Sequence, residues 1–142
     1  MERVLVNIPS HPKFERIVRA SVDEVARTLD FGHERTEDLK LAVSEAVNNA
    51  IDHGNHREIN KLVEVVFEMD EAMLAVRVTD EGTAVTEIDC SPRVLEEHNL
   101  EIGMHRGFGM SLIGALVDAY QVDRTTSGTT LTLKVFRKEQ VS

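Results

Sequence analysis

Apolar and polar residues alternate over residues 3–8, with Val4, Val6 and Ile8 on one side. A period of two predicts a strand, and Pro9 ends it. From Phe14 the period changes. Phe14, Ile17, Val18, Val22, Val25, Ala26 and Leu29 recur at helical spacing, with Ser10 near Pro12 as the expected cap and Gly32 as the expected stop. A second helix is expected to open at Thr36, where Glu37 and Asp38 suit the positive helix end. Its apolar stripe is Leu39, Ala42, Val43, Ala46, Val47 and Ala50. Residues 62–69 and 73–80 read as a hairpin around Asp70, Glu71 and Ala72. A polar, broken stretch then runs from Glu81 to Arg106. A third helix is expected over 107–117, led in by glycines, followed by a hairpin of 120–125 and 129–136 turning at Ser127 and Gly128.

The predicted order is β-α-α-β-β-loop-α-β-β, which implies an α/β (α+β) sandwich: one mixed, mostly antiparallel sheet with helices on one face. A doubly wound sheet would need strict βαβ alternation and an early Gly-rich turn, and both are missing. With 142 residues and 42% hydrophobic positions, residues 1–142 make one domain with an adequate core. The formal charge of -9 and the lack of a basic arm argue against nucleic acid as a partner. A single cysteine, Cys90, excludes an intrachain disulfide. The N-terminus has no signal-peptide pattern and no apolar run is long enough to span a bilayer, so a soluble cytoplasmic protein without membrane contact is expected.

Three segments carry candidate chemistry. In LAVSEAVNNAIDHG, residues 41–54, helical spacing stacks Glu45, Asn49 and His53 opposite the apolar stripe, with Asn48 and Asp52 beside them. An ordinary solvated face favours Lys, Arg and Glu, whereas two adjacent Asn weaken a helix. In VRVTDEGTAV, Asp80 ends an apolar strand and Gly82 follows; a carboxylate there can accept from an exocyclic amine, and a glycine allows close approach to a planar ring. In HRGFGMSLIG, Gly107 and Gly109 lead into a helix whose first amides point outward as a ready phosphate site, although no Gly-Lys-Ser/Thr follows as in a Walker A loop. Each motif alone is weak.

Taken in order, an Asn-bearing helix, a strand-end Asp-x-Gly, an irregular loop, a Gly-x-Gly helix start and a Gly-Thr-Thr hairpin resemble the GHKL ATPase pattern. Within that superfamily the chain resembles the anti-sigma-factor serine kinases of bacteria, over about residues 10–137. The resemblance implies a Bergerat-type ATP-binding fold with an ATP lid over about residues 84–106. It implies ATP and Mg²⁺ as cofactors and phosphorylation of a serine on an anti-sigma-factor antagonist. Glu45 then matches the general base, and Asn49 the Mg²⁺ ligand that also binds the nucleotide. Asp80 and Gly82 match the adenine site, Arg106 a lid arginine, Gly107 and Gly109 the phosphate-binding glycines, and Thr130 a residue lining the adenine pocket. It also implies a sigma factor as a partner and a homodimer. Two rival readings stand beside it: a switch kinase that binds no sigma factor, and a nucleotide-dependent binding module without catalysis.

Overall fold

The computed structural model describes residues 1–82 and 104–137, with the backbone alone for 104–109. Among the described residues five strands form one sheet: β1 (Glu2–Pro9), β2 (Leu62–Met69), β3 (Met73–Asp80), β4 (Ala119–Thr125) and β5 (Gly128–Phe136). Their spatial order is β1-β2-β3-β5-β4. Every neighbouring pair is antiparallel, which corrects the expected mixed sheet. The reason lies in the connections. A single crossover helix would return the chain parallel. Between β1 and β2 the chain passes instead through two helices, α1 (Glu15–Thr28) and α2 (His33–Asn49), and so reverses once more. Among the described residues one helix, α3 (Met104–Leu116), lies between β3 and β4, and β5 separates those two strands in the sheet.

The alternation decides which face is covered. Val63, Val65 and Phe67 of β2, Leu74, Val76 and Val78 of β3, and Leu133 and Val135 of β5 are buried on one face, beneath α1 and α2. Val18, Val22, Val25 and Ala26 of α1 meet Leu39, Ala42, Val43, Ala46 and Val47 of α2 in the same core. Each large side chain buried there contributes roughly 1.5–3 kcal/mol. On the other face Glu68 is held between Arg3, at 2.6 Å, and Arg77, which ties β1, β2 and β3 in register.

Two helix starts differ from expectation. Ser10 caps nothing: it is fully buried, and its hydroxyl donates to the Lys61 carbonyl. A 3₁₀ turn over Pro12–Phe14 leads into α1 instead, with the His11 ring accepting from the Lys13 amide at 3.1 Å. The second helix starts at His33, not Thr36. Gly32, at φ 85°, supplies a left-handed turn that other residues rarely adopt, so the helix begins one turn early and the Thr36 hydroxyl bonds back to the Gly32 carbonyl at 2.6 Å.

Candidate active site

The site forms where the end of α2 meets the ends of β3 and β5. Along α2, Leu39, Val43 and Val47 turn into the core, leaving Ser44, Glu45, Asn48 and Asn49 half-buried on the other flank. Glu45 and Asn49 are one helical turn apart, so they share that flank. Next to Glu45, Ser44 donates to the buried carboxylate of Glu15 at 2.5 Å, fixing α2 against α1.

After Asn49 the helix widens. Ala50–Gly54 is a π turn, closed by the Asn55 amide on the Ala50 carbonyl at 2.8 Å. His53 therefore does not continue the α-helical stack of Glu45 and Asn49, as uninterrupted spacing predicts. The π turn delivers Gly54 directly onto Asp80. A Cβ at Gly54 would lie 2.3 Å from the Asp80 carboxylate, so only glycine fits there.

Asp80 is 8% exposed, at the last position of β3. Its Oδ1 accepts from the amides of Gly82, at 3.0 Å, and Thr129, at 3.3 Å. Two further close approaches enclose it. A Cβ at Gly128 would fall 1.9 Å from the Asp80 carbonyl oxygen, and one at Gly82 would fall 1.8 Å from the Gly54 carbonyl oxygen. The Gly54 backbone alone thus requires glycine at position 82.

Register places the expected Thr130 one residue away from the partner of Asp80. Asp80 pairs with Thr129, while Thr130 pairs with Thr79 and bonds to its hydroxyl at 2.9 Å. Because side chains alternate across a strand, Thr130 lies on the face away from the helices, and Thr129 shares the face of Asp80. Sequence reasoning also missed Gly54 and Asn55. The adjacent Gly-Asn is a signal for a tight reversal, but nothing local marks that Asn as buried.

The helix α3 begins at Met104, earlier than the expected start at Gly107, so Gly107 and Gly109 lie within its first turns. Open amide donors belong to the first four positions of a helix, which include Gly107 but not Gly109. Arg106 also lies on that first turn. The expected lid, residues 84–106, lies outside the described residues except for its last three. Among the described residues no group of three His, Cys, Asp or Glu could hold a metal, and no helix is long and apolar enough to cross a membrane.

The family pattern for a histidine kinase-like ATPase domain matches residues 8–135. The chain is also 30% identical to the serine-protein kinase RsbW of Listeria innocua, across 99% of its own length and 91% of the relative's. The chain belongs to the histidine kinase-like ATPases, among the RsbW-type serine-protein kinases. RsbW of Bacillus thuringiensis is likewise 30% identical, with 99% and 89% covered. A Mycobacterium tuberculosis structure containing RsbU and RsbW domains shares the fold with a TM-score of 0.68 at 20% identity, covering 95% of the kinase and 32% of that longer chain. The histidine kinase domain of an Erythrobacter litoralis blue-light-activated kinase superposes with a TM-score of 0.54 at 16% identity, covering 92% and 62%. In this kinase the Asn-bearing helix and the strand-end Asp80 meet through Gly54.

Proposed function

We propose that the kinase is an anti-sigma factor that transfers phosphate from ATP to a serine of its antagonist protein. The observation that carries this reading is the buried Asp80 carboxylate at the end of the Asn-bearing helix, in a cradle that a single Cβ at Gly54 would fill. A carboxylate held there by two amides can accept from the adenine amino group, whereas a guanine would present a repelled oxygen. Thr129, beside Asp80, takes the pocket role that the family resemblance assigned to Thr130.

The residues present also suit a phosphate-bound metal. Asn49 offers a neutral hard oxygen, fitting a Mg²⁺ whose remaining charge is balanced by phosphates. When bound, Mg²⁺ would neutralise phosphate charge, which matters in a protein of formal charge -9. Glu45, one turn earlier on the same flank, takes the proton from the attacking serine hydroxyl. The first-turn amides of α3, with Gly107 and Arg106, hold phosphate oxygens, and Gly109 lets them approach the helix closely.

The same reading implies a cytoplasmic protein with a sigma factor as second partner. It also implies a homodimer. The edge strand β1, which exposes Val4 on the helix side near Ile17 of α1, supports that assembly.

The test is transfer of labelled phosphate from Mg-ATP to antagonist proteins of the same genome, alongside sigma-factor binding. Phosphoserine on an antagonist together with sigma binding supports the proposal. Transfer without sigma binding favours a switch kinase, and capture without transfer favours a sequestering module.

A further inference from the structure

We propose that Asn55 is a positioning residue for nucleotide selectivity, because its side chain holds the peptide that follows Asp80. This inference rests on the reading of Asp80 as the adenine acceptor.

Asn55 is fully buried, and both ends of its amide are occupied. Its nitrogen donates to the Ser10 hydroxyl at 2.8 Å and to the Leu62 carbonyl at 3.1 Å. Its oxygen accepts from the Glu81 amide at 2.7 Å. One side chain thereby joins the ends of β1 and β3, the start of β2 and the π turn. Glu81 adds a second tie, its carboxylate accepting from the Leu62 amide at 2.8 Å.

The position of these bonds gives Asn55 a role beyond cohesion. Glu81 stands between Asp80 and Gly82, and the Gly82 amide donates to Asp80 Oδ1. Asn55 also follows Gly54 directly, and Gly54 abuts the Asp80 carboxylate. The bond from Glu81 to Asn55 therefore sets the distance between the π turn and the peptide that orients Asp80. The chain accepts strain at this place: His56 and Arg57 both have left-handed backbones, at φ 53° and 58°. Such residues persist only where the surroundings over-determine them. Here Arg57 is held by its amide on the Ile51 carbonyl at 2.8 Å and by its guanidinium on Asp52 at 2.6 Å. A buried asparagine of this kind supplies two donors and one acceptor in fixed directions, which no apolar residue of similar size can do.

The experiment measures the ratio of Mg-ATP to Mg-GTP affinity by calorimetry, with thermal melting on the same samples. Asn55→Ala should lower the ratio tenfold or more, toward that of Asp80→Asn. Asn55→Asp keeps the acceptor for Glu81 and should keep a ratio within threefold of wild type while melting lower. Ser10→Ala, on the side of the network remote from Asp80, should also melt lower with the ratio unchanged. If Asn55→Ala melts lower but keeps the wild-type ratio, or if Asn55→Asp loses it as fully as Asn55→Ala, the proposal is overturned. Should neither Asn55 variant fold, hydrogen exchange of the wild-type protein decides: slow exchange at the Glu81 amide without nucleotide supports the proposal, and exchange at the unstructured-peptide rate overturns it. A wild-type ratio in Asp80→Asn would instead sink the adenine reading itself.

Discussion

Replacing Gly54 with alanine adds one methyl group at the most crowded point of the site. The new Cβ would lie 2.3 Å from both Cγ and Oδ2 of Asp80, and 2.8 Å from its Cβ. Ordinary contact begins near 3.4 Å, so the carboxylate must retreat by roughly 1 Å. That retreat pulls Oδ1 from the amides of Gly82 and Thr129. It also misplaces the acceptor proposed for adenine. A hydrogen bond to a charged group is worth about 1.5–3 kcal/mol, so its loss should weaken Mg-ATP binding about 10- to 150-fold. Overpacking should separately cost about 1–3 kcal/mol of stability. Calorimetric titration with Mg-ATP and Mg-GTP, beside thermal melts, separates the two effects, because GTP affinity depends far less on this acceptor. If Gly54→Ala folds and binds ATP within twofold of wild type, the position of the Asp80 carboxylate does not govern recognition.

Asp80→Asn should weaken ATP binding by at least ~1 kcal/mol with the fold intact, since an amide loses the charge assistance; calorimetry with an unchanged affinity would make Asp80 a turn residue only. Among the described residues, Gly114→Ala, inside α3, would meet only the Tyr120 ring at 3.5 Å. It should therefore stabilise the protein by about 0.5–1 kcal/mol in a denaturant titration, with ATP affinity unchanged. At the β2–β3 turn, the amides of Met73 and then Ala72 hold the Asp70 carboxyl below its ordinary value. Its contribution is present above the unfolded carboxylate range and lost as pH falls through the lower folded value, so Asp70→Asn should shrink the loss of melting temperature below about pH 4.

Much of the fold is legible locally. The bounds of β2 and β3 are readable because their alternation stops at a polar turn, and the Asp70 carboxylate closes that turn on the amides of Ala72 and Met73. The stripe of α2 is equally plain, since Leu39, Val43 and Val47 recur at the helical period. Long-range contacts are harder to read. The residues of Ala50–Gly54 continue a helical pattern, and what widens the helix is the docking of Gly54 on Asp80, which is distant in sequence. Thr129 and Thr130 are chemically identical neighbours, so only strand register decides which one faces Asp80. Asn55 has the composition of a surface loop, yet four segments of chain bury it. Glu45, Asn49 and Asp80 are legible because each carries unusual chemistry at a regular position, on a helix flank or a strand end.

The most direct test of the account is single-turnover phosphate transfer by Glu45→Gln, with labelled ATP and the antagonist protein. The substitution keeps the size and hydrogen-bonding reach of the side chain but cannot take the serine proton at neutral pH. Positioned base catalysis contributes ~10²–10⁴-fold, so transfer should slow by about that factor. Affinity for Mg-ATP should change little, because the proposed nucleotide contacts, Asn49, Asp80 and the start of α3, are untouched. Transfer at the wild-type rate would contradict the account, since Glu45 could not then be the base.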